Sequence, residues 1–205
     1  MCGRYQFDSS LDIEELQNIL EQLNRDRSGS LRLINMKTGE ICPTDIAPVL
    51  IDENGCLEPE IMKWGFPSWD NKNVIINARA ETICEKPMFK SSLEERRCII
   101  PSTGFYEWKQ DPDTGKKMKY LIRTEKPGLL YMAGIFNHFK DRTTGLLEPA
   151  FVIITTDAND YMEGIHDRMP LILEGNQISE WIEDETAYKY LYEPNRSKLI
   201  IGQAI

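Results

Sequence analysis

The second residue of the chain, Cys2, carries the most reactive combination of groups in the sequence. If the initiator methionine is removed, as is common before a residue as small as cysteine, Cys2 has a free α-amine beside its thiol. The reference pKa is about 8 for an α-amine and about 8.5 for a thiol, so both groups are partly nucleophilic at neutral pH. The amine condenses with an aldehyde, and the thiol then closes a five-membered thiazolidine ring. A cysteine also occurs at position 2 by chance, so its position alone does not establish this chemistry.

Polar side chains in three other segments are suited to acid–base or orienting roles. Asn77, Arg79 and Glu81 alternate along the segment 75–82, which predicts that they project from one face of a strand. Glu107 is surrounded by aromatic residues, a setting that suits proton transfer by a carboxyl group. His166 lies between a predicted helix and a predicted strand. The alternative to a functional role for the strand residues is a solvated strand face, which we favour for Glu81. The alternative for His166 is a structural role.

The elements that position these side chains are short and mostly extended. Leu16, Ile19, Leu20 and Leu23 have helical spacing and predict a helix over 11–24. A hairpin is predicted over 47–64, because Asn54-Gly55 favours a type I′ turn. Further strands are predicted at 74–78, 98–101, 105–108, 119–123, 129–136 and 150–155, and short helices at 91–96, 157–164 and 176–192. This order predicts an α+β fold with a curved, mostly antiparallel sheet or barrel and peripheral helices.

Composition limits the classes of protein that remain. The chain has 205 residues and shows no linker, repeat or low-complexity tract, so we expect one domain over 1–205. A net charge of −9 argues against a protein that coats duplex DNA, although a local basic groove remains compatible with it. Five cysteines without a Cys-x-x-Cys pair, and two histidines, give little support for a zinc site, so no metal or cofactor is expected. Without an apolar leader or membrane span, we expect a cytoplasmic protein.

Six ordered motifs make the sequence similar to a known family. They are Met-Cys-Gly-Arg-Tyr at 1–5, Asn-Ala-Arg-Ala-Glu-Thr at 77–82, Arg-Cys-Ile-Ile-Pro at 97–101, Gly-Phe-Tyr-Glu-Trp at 104–108, Thr-Thr at 155–156 and His-Asp-Arg-Met-Pro at 166–170. In this order they resemble the SOS-response-associated peptidase (SRAP) family. The segment 64–69 is one residue shorter than the family pattern, which puts the placement of Trp69 in doubt, and 133–137 departs in a way that we expect to alter packing more than chemistry.

The resemblance implies a covalent reaction with abasic sites in single-stranded DNA, through a thiazolidine at Cys2. It implies that Asn77 orients the sugar or the amine and that Glu107 and His166 transfer protons. Residues expected to contact DNA are Arg4, Arg79 and Arg168 at phosphates, Pro43, Trp64 and Trp69 against bases, and Thr155. Core packing is an equal alternative for each tryptophan. Ion pairing with acidic residues is the alternative for the arginines.

The family name also implies self-removal of the residue before Cys2, and an imine at C1′ makes weak strand scission possible. Two other classes stay open. One is a glutamine amidotransferase with an amino-terminal cysteine nucleophile, which the chain supports poorly because it lacks a recognisable glutamine-binding segment and a synthetase domain. The other is a non-catalytic module that binds single-stranded DNA. We expect a monomer with no membrane partner.

Overall fold

The computed structural model describes residues 2–69, 72–141, 143–183 and 185–204. Met1, on which the predicted self-removal falls, lies outside the described residues. The strands are β1 (Arg4–Phe7), β2 (Gly39–Ile41), β3 (Ile46–Glu53), β4 (Cys56–Trp64), β5 (Phe66–Pro67), β6 (Val74–Ile75), β7 (Asn77–Arg79), β8 (Arg97–Ser102), β9 (Gly104–Gln110), β10 (Lys117–Thr124), β11 (Leu130–Lys140), β12 (Leu147–Asp157), β13 (Arg168–Pro170), β14 (Ile172–Leu173) and β15 (Leu199–Gln203). The α-helices are α1 (Glu14–Asp26), α2 (Leu31–Asn35), α3 (Pro87–Glu95) and α4 (Gln177–Glu183).

The larger sheet closes on itself. Strand β12 pairs with β4, β4 with β3, β3 with β8, β8 with β11, and β11 again with β12, so five strands form a closed ring. Strands β7 and β13 pair with β12, and β14 pairs with β11. Strand β12 runs parallel to β4 and β7, whereas the other strand pairs of this sheet are antiparallel. The predicted curved, mostly antiparallel α+β core is confirmed.

A second, antiparallel sheet carries the amino terminus. Its strand order is β15-β10-β9-β1-β2, which places β1 between β9 and β2. Arg4 lies opposite Tyr106 of β9, and Tyr5 lies opposite Ile41 of β2. Because β1 is paired on both sides, the residues just before it are held close to the strand that carries Glu107.

The helix predicted over 11–24 is confirmed as α1. Leu16, Ile19 and Leu23 face the core at helical spacing. Glu14 and Glu15 lie in its first turn, where negative charge interacts favourably with the helix dipole. The helix packs against β4 of the barrel.

The predicted hairpin is also present, as β3 and β4. Asn54 and Gly55 have φ angles of 59° and 83°, as a type I′ turn requires at both central residues. Leu50 and Ile61, on opposite strands of the hairpin, are both buried.

The carboxy-terminal part differs from the sequence prediction. The helix predicted at 157–164 is a single 3-10 turn at Asp160–Met162, which the Asn159 side chain caps by accepting from the Tyr161 backbone N–H. The helix predicted at 176–192 is α4 followed by a 3-10 segment at Glu185–Leu191, with residue 184 outside the described residues. Within the described part of the chain, no helix is both long and apolar enough to cross a membrane.

Candidate functional site

Cys2 lies in the interior, immediately before β1. Its side chain has no exposed surface, and its Sγ lies 3.6 Å from the backbone oxygen of Arg4. Burial raises the pKa of the Cys2 thiol well above its usual value, and the negative charge of Glu107 raises it further. The thiol is therefore protonated at neutral pH, and Glu107 is close enough to affect its ionisation.

Asn77 makes direct contact with Cys2. Its Nδ2 donates to the Cys2 backbone oxygen at 2.9 Å. Strand β7 places it there by pairing in parallel with β12, where Asn77 lies opposite Ile153. The Asn77 Oδ1 is buried and has no hydrogen-bond partner among the described residues, so it is free to accept from a ligand or from an amine.

Glu107 is 3% exposed, an unusual environment for a carboxyl group. It follows Tyr106, the residue opposite Arg4, so it lies beside the chain segment that leads to Cys2. On its other side it lies opposite Tyr120 of β10. Strand alternation turns Glu107 towards the face that also carries Phe105, which is fully buried.

His166 lies in the loop between the 3-10 turn and β13. Its Nδ1 accepts from the backbone N–H of Arg168 at 3.0 Å. A carboxylate oxygen of Asp167 lies 2.7 Å from the same Nδ1. Both contacts are made at Nδ1, and together they orient the imidazole ring.

Arg168 is held by a network of acceptors. Its guanidinium contacts both carboxylate oxygens of Glu81, at 2.7 and 3.0 Å, and one of Asp157 at 2.6 Å. It also donates to the backbone oxygen of Thr155 at 2.7 Å. These hydrogen bonds hold the pKa of Glu81 below its usual value. The arrangement favours the ion-pair alternative for Arg168, and it gives Glu81 a partner instead of the purely solvated role that we favoured.

The other two predicted arginines differ from each other. Arg4 pairs with Glu40 at 2.6 Å, and its guanidinium lies 6.0 Å from the ring centre of Trp108. Arg79 is exposed and forms no hydrogen bond or ion pair with the described residues, although its charge helps to lower the pKa of Glu81. Of the three, Arg79 is the cation most available to a phosphate.

The two tryptophans occupy opposite environments. Trp64 has no exposed surface, lies edge-on to Tyr5 at 5.2 Å between ring centres, and donates from Nε1 to the Ile76 backbone oxygen at 3.0 Å. This burial favours the core-packing alternative for Trp64, because its ring lies against Tyr5 and Phe151 in the core. Trp69 is 97% exposed and is able to stack on a base.

Thr155 and Pro43 complete the predicted set. Thr155 is fully buried opposite Arg79, and its Oγ1 has no hydrogen-bond partner among the described residues. Pro43 is partly exposed in the turn after β2, next to Thr44, whose φ is 77°. No group of three or more His, Cys, Asp or Glu side chains in the described ranges is placed to hold a metal ion.

Sequence reasoning missed Lys109. This lysine follows Glu107 by two residues on β9 and so lies on the same face of the strand. A Cβ built on Gly164 would lie 3.5 Å from its Nζ. The segment that carries His166 therefore packs beside the strand that carries Glu107. The signal in the sequence is the spacing of Glu107 and Lys109, two residues apart at the end of a predicted strand, which places both on one face.

Comparisons with known proteins agree with the motifs. "Abasic site processing protein YoqW" of Bacillus subtilis is 36% identical over 194 residues, which cover 89% of this chain and 80% of the relative. "Abasic site processing protein YedK" of Escherichia coli is 30% identical over 190 residues, covering 92% and 82%. "Abasic site processing protein HMCES" of Xenopus tropicalis is 33% identical over 148 residues, covering 60% and 44%.

A solved structure gives the same result for the fold. A crystal structure of a Bacteroides thetaiotaomicron protein superposes with a TM-score of 0.80 at 24% identity, covering 98% of this chain and 91% of that one. The family model described as "SOS response associated peptidase (SRAP)" matches residues 1–200, nearly the whole chain. The chain belongs to the SRAP family.

Proposed function

We propose that this protein captures abasic sites in single-stranded DNA as a covalent adduct on Cys2. The observation that carries the proposal is the hydrogen bond from Asn77 to the Cys2 backbone, in an interior that also holds Glu107. A residue at the start of a chain is normally mobile, whereas here the reactive residue is fixed by a side chain 75 positions away. The names of the relatives support an abasic site as the substrate.

The reaction needs an aldehyde and both groups of Cys2. The free α-amine attacks C1′ of the ring-opened deoxyribose, and loss of water gives an imine. The Cys2 sulfur then adds to C1′, the thiol proton passes to nitrogen, and a thiazolidine ring results. Because burial keeps the thiol protonated, the amine reacts first and the thiol closes the ring afterwards.

Glu107 and His166 serve as the proton-transfer groups. Glu107 is placed to move protons during ring opening of the sugar and imine formation, since it lies beside the segment leading to Cys2. His166 is the second group, next to the sugar hydroxyl or the 3′ phosphate, with its ring oriented by the contacts at Nδ1. The same groups support two secondary activities, self-removal of Met1 and slow elimination of the 3′ phosphate, because an imine at C1′ acidifies the C2′ proton.

DNA contacts outside the reacting sugar are assigned by exposure. Arg79 is the proposed phosphate contact, and Trp69, with Pro43, provides an apolar surface for a neighbouring base. The Arg4 side chain is 45% exposed, so it remains a candidate phosphate contact although it is paired with Glu40. Exposure does not assign a contact to Thr155, because its side chain is fully buried although its hydroxyl has no hydrogen-bond partner among the described residues.

The test is incubation with an abasic single-stranded oligonucleotide, followed by denaturing electrophoresis. The processed chain should give a shifted band, and Cys2→Ser should give one only when borohydride traps the imine. Cys56→Ser is the matched control, because Cys56 is exposed and lies on a strand of the barrel. An uncleavable amino-terminal tag should abolish both products. Full reactivity of the tagged chain would contradict the aminothiol mechanism.

Incubation with glutamine separates the alternatives. Glutamate release without a covalent DNA band would support the amidotransferase. Reversible binding of intact single-stranded DNA, with no covalent band from abasic DNA, would support the non-catalytic module.

A further inference from the structure

We propose that Lys109 binds a phosphate of the DNA strand on the His166 side of the site. The inference rests on the proposed function and assigns that function a residue outside the predicted set. Lys109 would provide the phosphate contact that the sequence assigns to Arg168.

The position of Lys109 is fixed by two elements. Strand β9 places it on the same face as Glu107, two residues along, which is about 7 Å between Cα atoms. Across the strand pair it lies opposite Met118 of β10. A Cβ placed on Gly164, two residues before His166, would lie 3.5 Å from its Nζ, so the ammonium lies beside that loop. Lys109 is therefore on the strand of Glu107 and next to the loop that carries His166.

The charge of Lys109 is uncompensated within the described residues. It forms no hydrogen bond or ion pair with them, although Glu163 and Asp167 lie on the neighbouring loop segment. Arg168, in contrast, is bound by two carboxylates, and Arg4 by one. A cation that is already paired gains less from a phosphate than an unpaired one, because the existing partner must be displaced or shared. Lys109 is thus better suited to bind an incoming anion than either arginine.

The chemistry of a lysine fits this position. An ammonium is a compact point charge with three donors on a flexible stem, and it binds a phosphate without the fixed geometry of a guanidinium. Phosphate contacts position a strand without selecting its sequence. Lys109 would therefore hold the backbone next to the reacting sugar while Glu107 and His166 act on the sugar itself.

The experiment compares Lys109→Met with Lys117→Met. Lys117 lies on β10 opposite Gln110, so it is on the other face of the same sheet and is exposed. Binding of an intact single-stranded oligonucleotide is measured by fluorescence anisotropy at several salt concentrations. Lys109→Met should reduce the log–log salt slope by about 0.7, the value for one phosphate contact on a single strand. Lys117→Met should leave the slope unchanged, and Lys109→Arg should retain the wild-type slope.

Each outcome has a defined meaning. An unchanged salt slope for Lys109→Met would overturn the proposal, and a lower melting temperature in the same variant would give Lys109 a structural role in holding the His166 loop. If Lys109→Met does not fold, Lys109→Arg and Lys109→Gln provide the comparison, and an equal slope in these two variants would also overturn it. A wild-type protein that binds single-stranded DNA without salt dependence and forms no adduct with abasic DNA would contradict the proposed function itself.

Discussion

Replacing Arg168 by alanine separates a structural role from a DNA-binding role. The guanidinium forms ion pairs with Glu81 and Asp157 and a hydrogen bond to the Thr155 backbone. Removing one partner of a fully buried ion pair costs about 3–5 kcal/mol. The side chains of Glu81 and Asp157 are 42% and 84% exposed, so water solvates them when Arg168 is gone. We therefore expect a loss of about 1–3 kcal/mol in the free energy of unfolding.

Thermal denaturation measures this loss. For a domain of this size, about 2–4 °C of melting temperature corresponds to 1 kcal/mol, so the midpoint should fall by roughly 2–12 °C. Because Arg168 lowers the pKa of Glu81, the ion pair stabilises the fold above the unfolded pKa of about 4.3 and is lost as pH falls through the folded value. Arg168→Ala should lack this part of the acid dependence.

The control and the refuting result come from Arg79. Arg79→Ala removes an exposed guanidinium opposite Thr155, so it should flatten the salt slope of DNA binding and leave the melting temperature unchanged. Arg168→Ala should do the reverse. An unchanged melting temperature together with a flattened slope for Arg168→Ala would refute the structural assignment of Arg168.

Three further predictions test other parts of the site. Trp69→Ala should weaken single-strand binding by about 1–3 kcal/mol, the value of one stacked base, without lowering the melting temperature. Trp64→Ala should instead lower the free energy of unfolding by about 3–5 kcal/mol. Equal effects of the two variants on binding and on stability would contradict the assignment of Trp69 to the DNA and of Trp64 to the core. Glu107→Gln should slow adduct formation by roughly 10²–10⁴ and leave binding of intact single-stranded DNA unchanged, and a parallel loss of binding would argue against a proton-transfer role. Burial raises the pKa of the Cys2 and Cys98 thiols, so the folded state keeps protons that the unfolded state releases above about pH 8.5. The free energy of unfolding, measured by urea denaturation, should therefore fall by about 1.4 kcal/mol per pH unit for each thiol. Cys98→Ala should halve this dependence of stability on pH.

Elements with a local sequence pattern were predicted well. Helix α1 has three buried apolar residues at helical spacing, and the β3–β4 hairpin has the turn residues that its geometry requires. Strands β1 and β2 were missed, because each has only three or four residues and is stabilised by pairing with a partner far along the chain. The few residues of each strand carry no sequence pattern that indicates a pairing with so distant a partner.

The candidate site shows the same limit. Trp64 and Trp69 are five residues apart in a similar local sequence, yet one is buried and the other almost fully exposed. Arg168 was expected at a phosphate, but its main partner, Glu81, lies 87 residues away. The types of residue in the site were predictable from motifs. Their partners depend on how the barrel closes, which composition and spacing do not reveal.

Intact mass spectrometry of the native chain, after reaction with an abasic single-stranded oligonucleotide, tests the central claim most directly. Thiazolidine formation predicts a mass equal to the chain without Met1 plus the oligonucleotide minus one water. Proteolysis should locate the adduct on the peptide that begins at Cys2, and it should form without borohydride. An adduct located on a lysine, or an unmodified chain under conditions in which it binds the oligonucleotide, would contradict the claim.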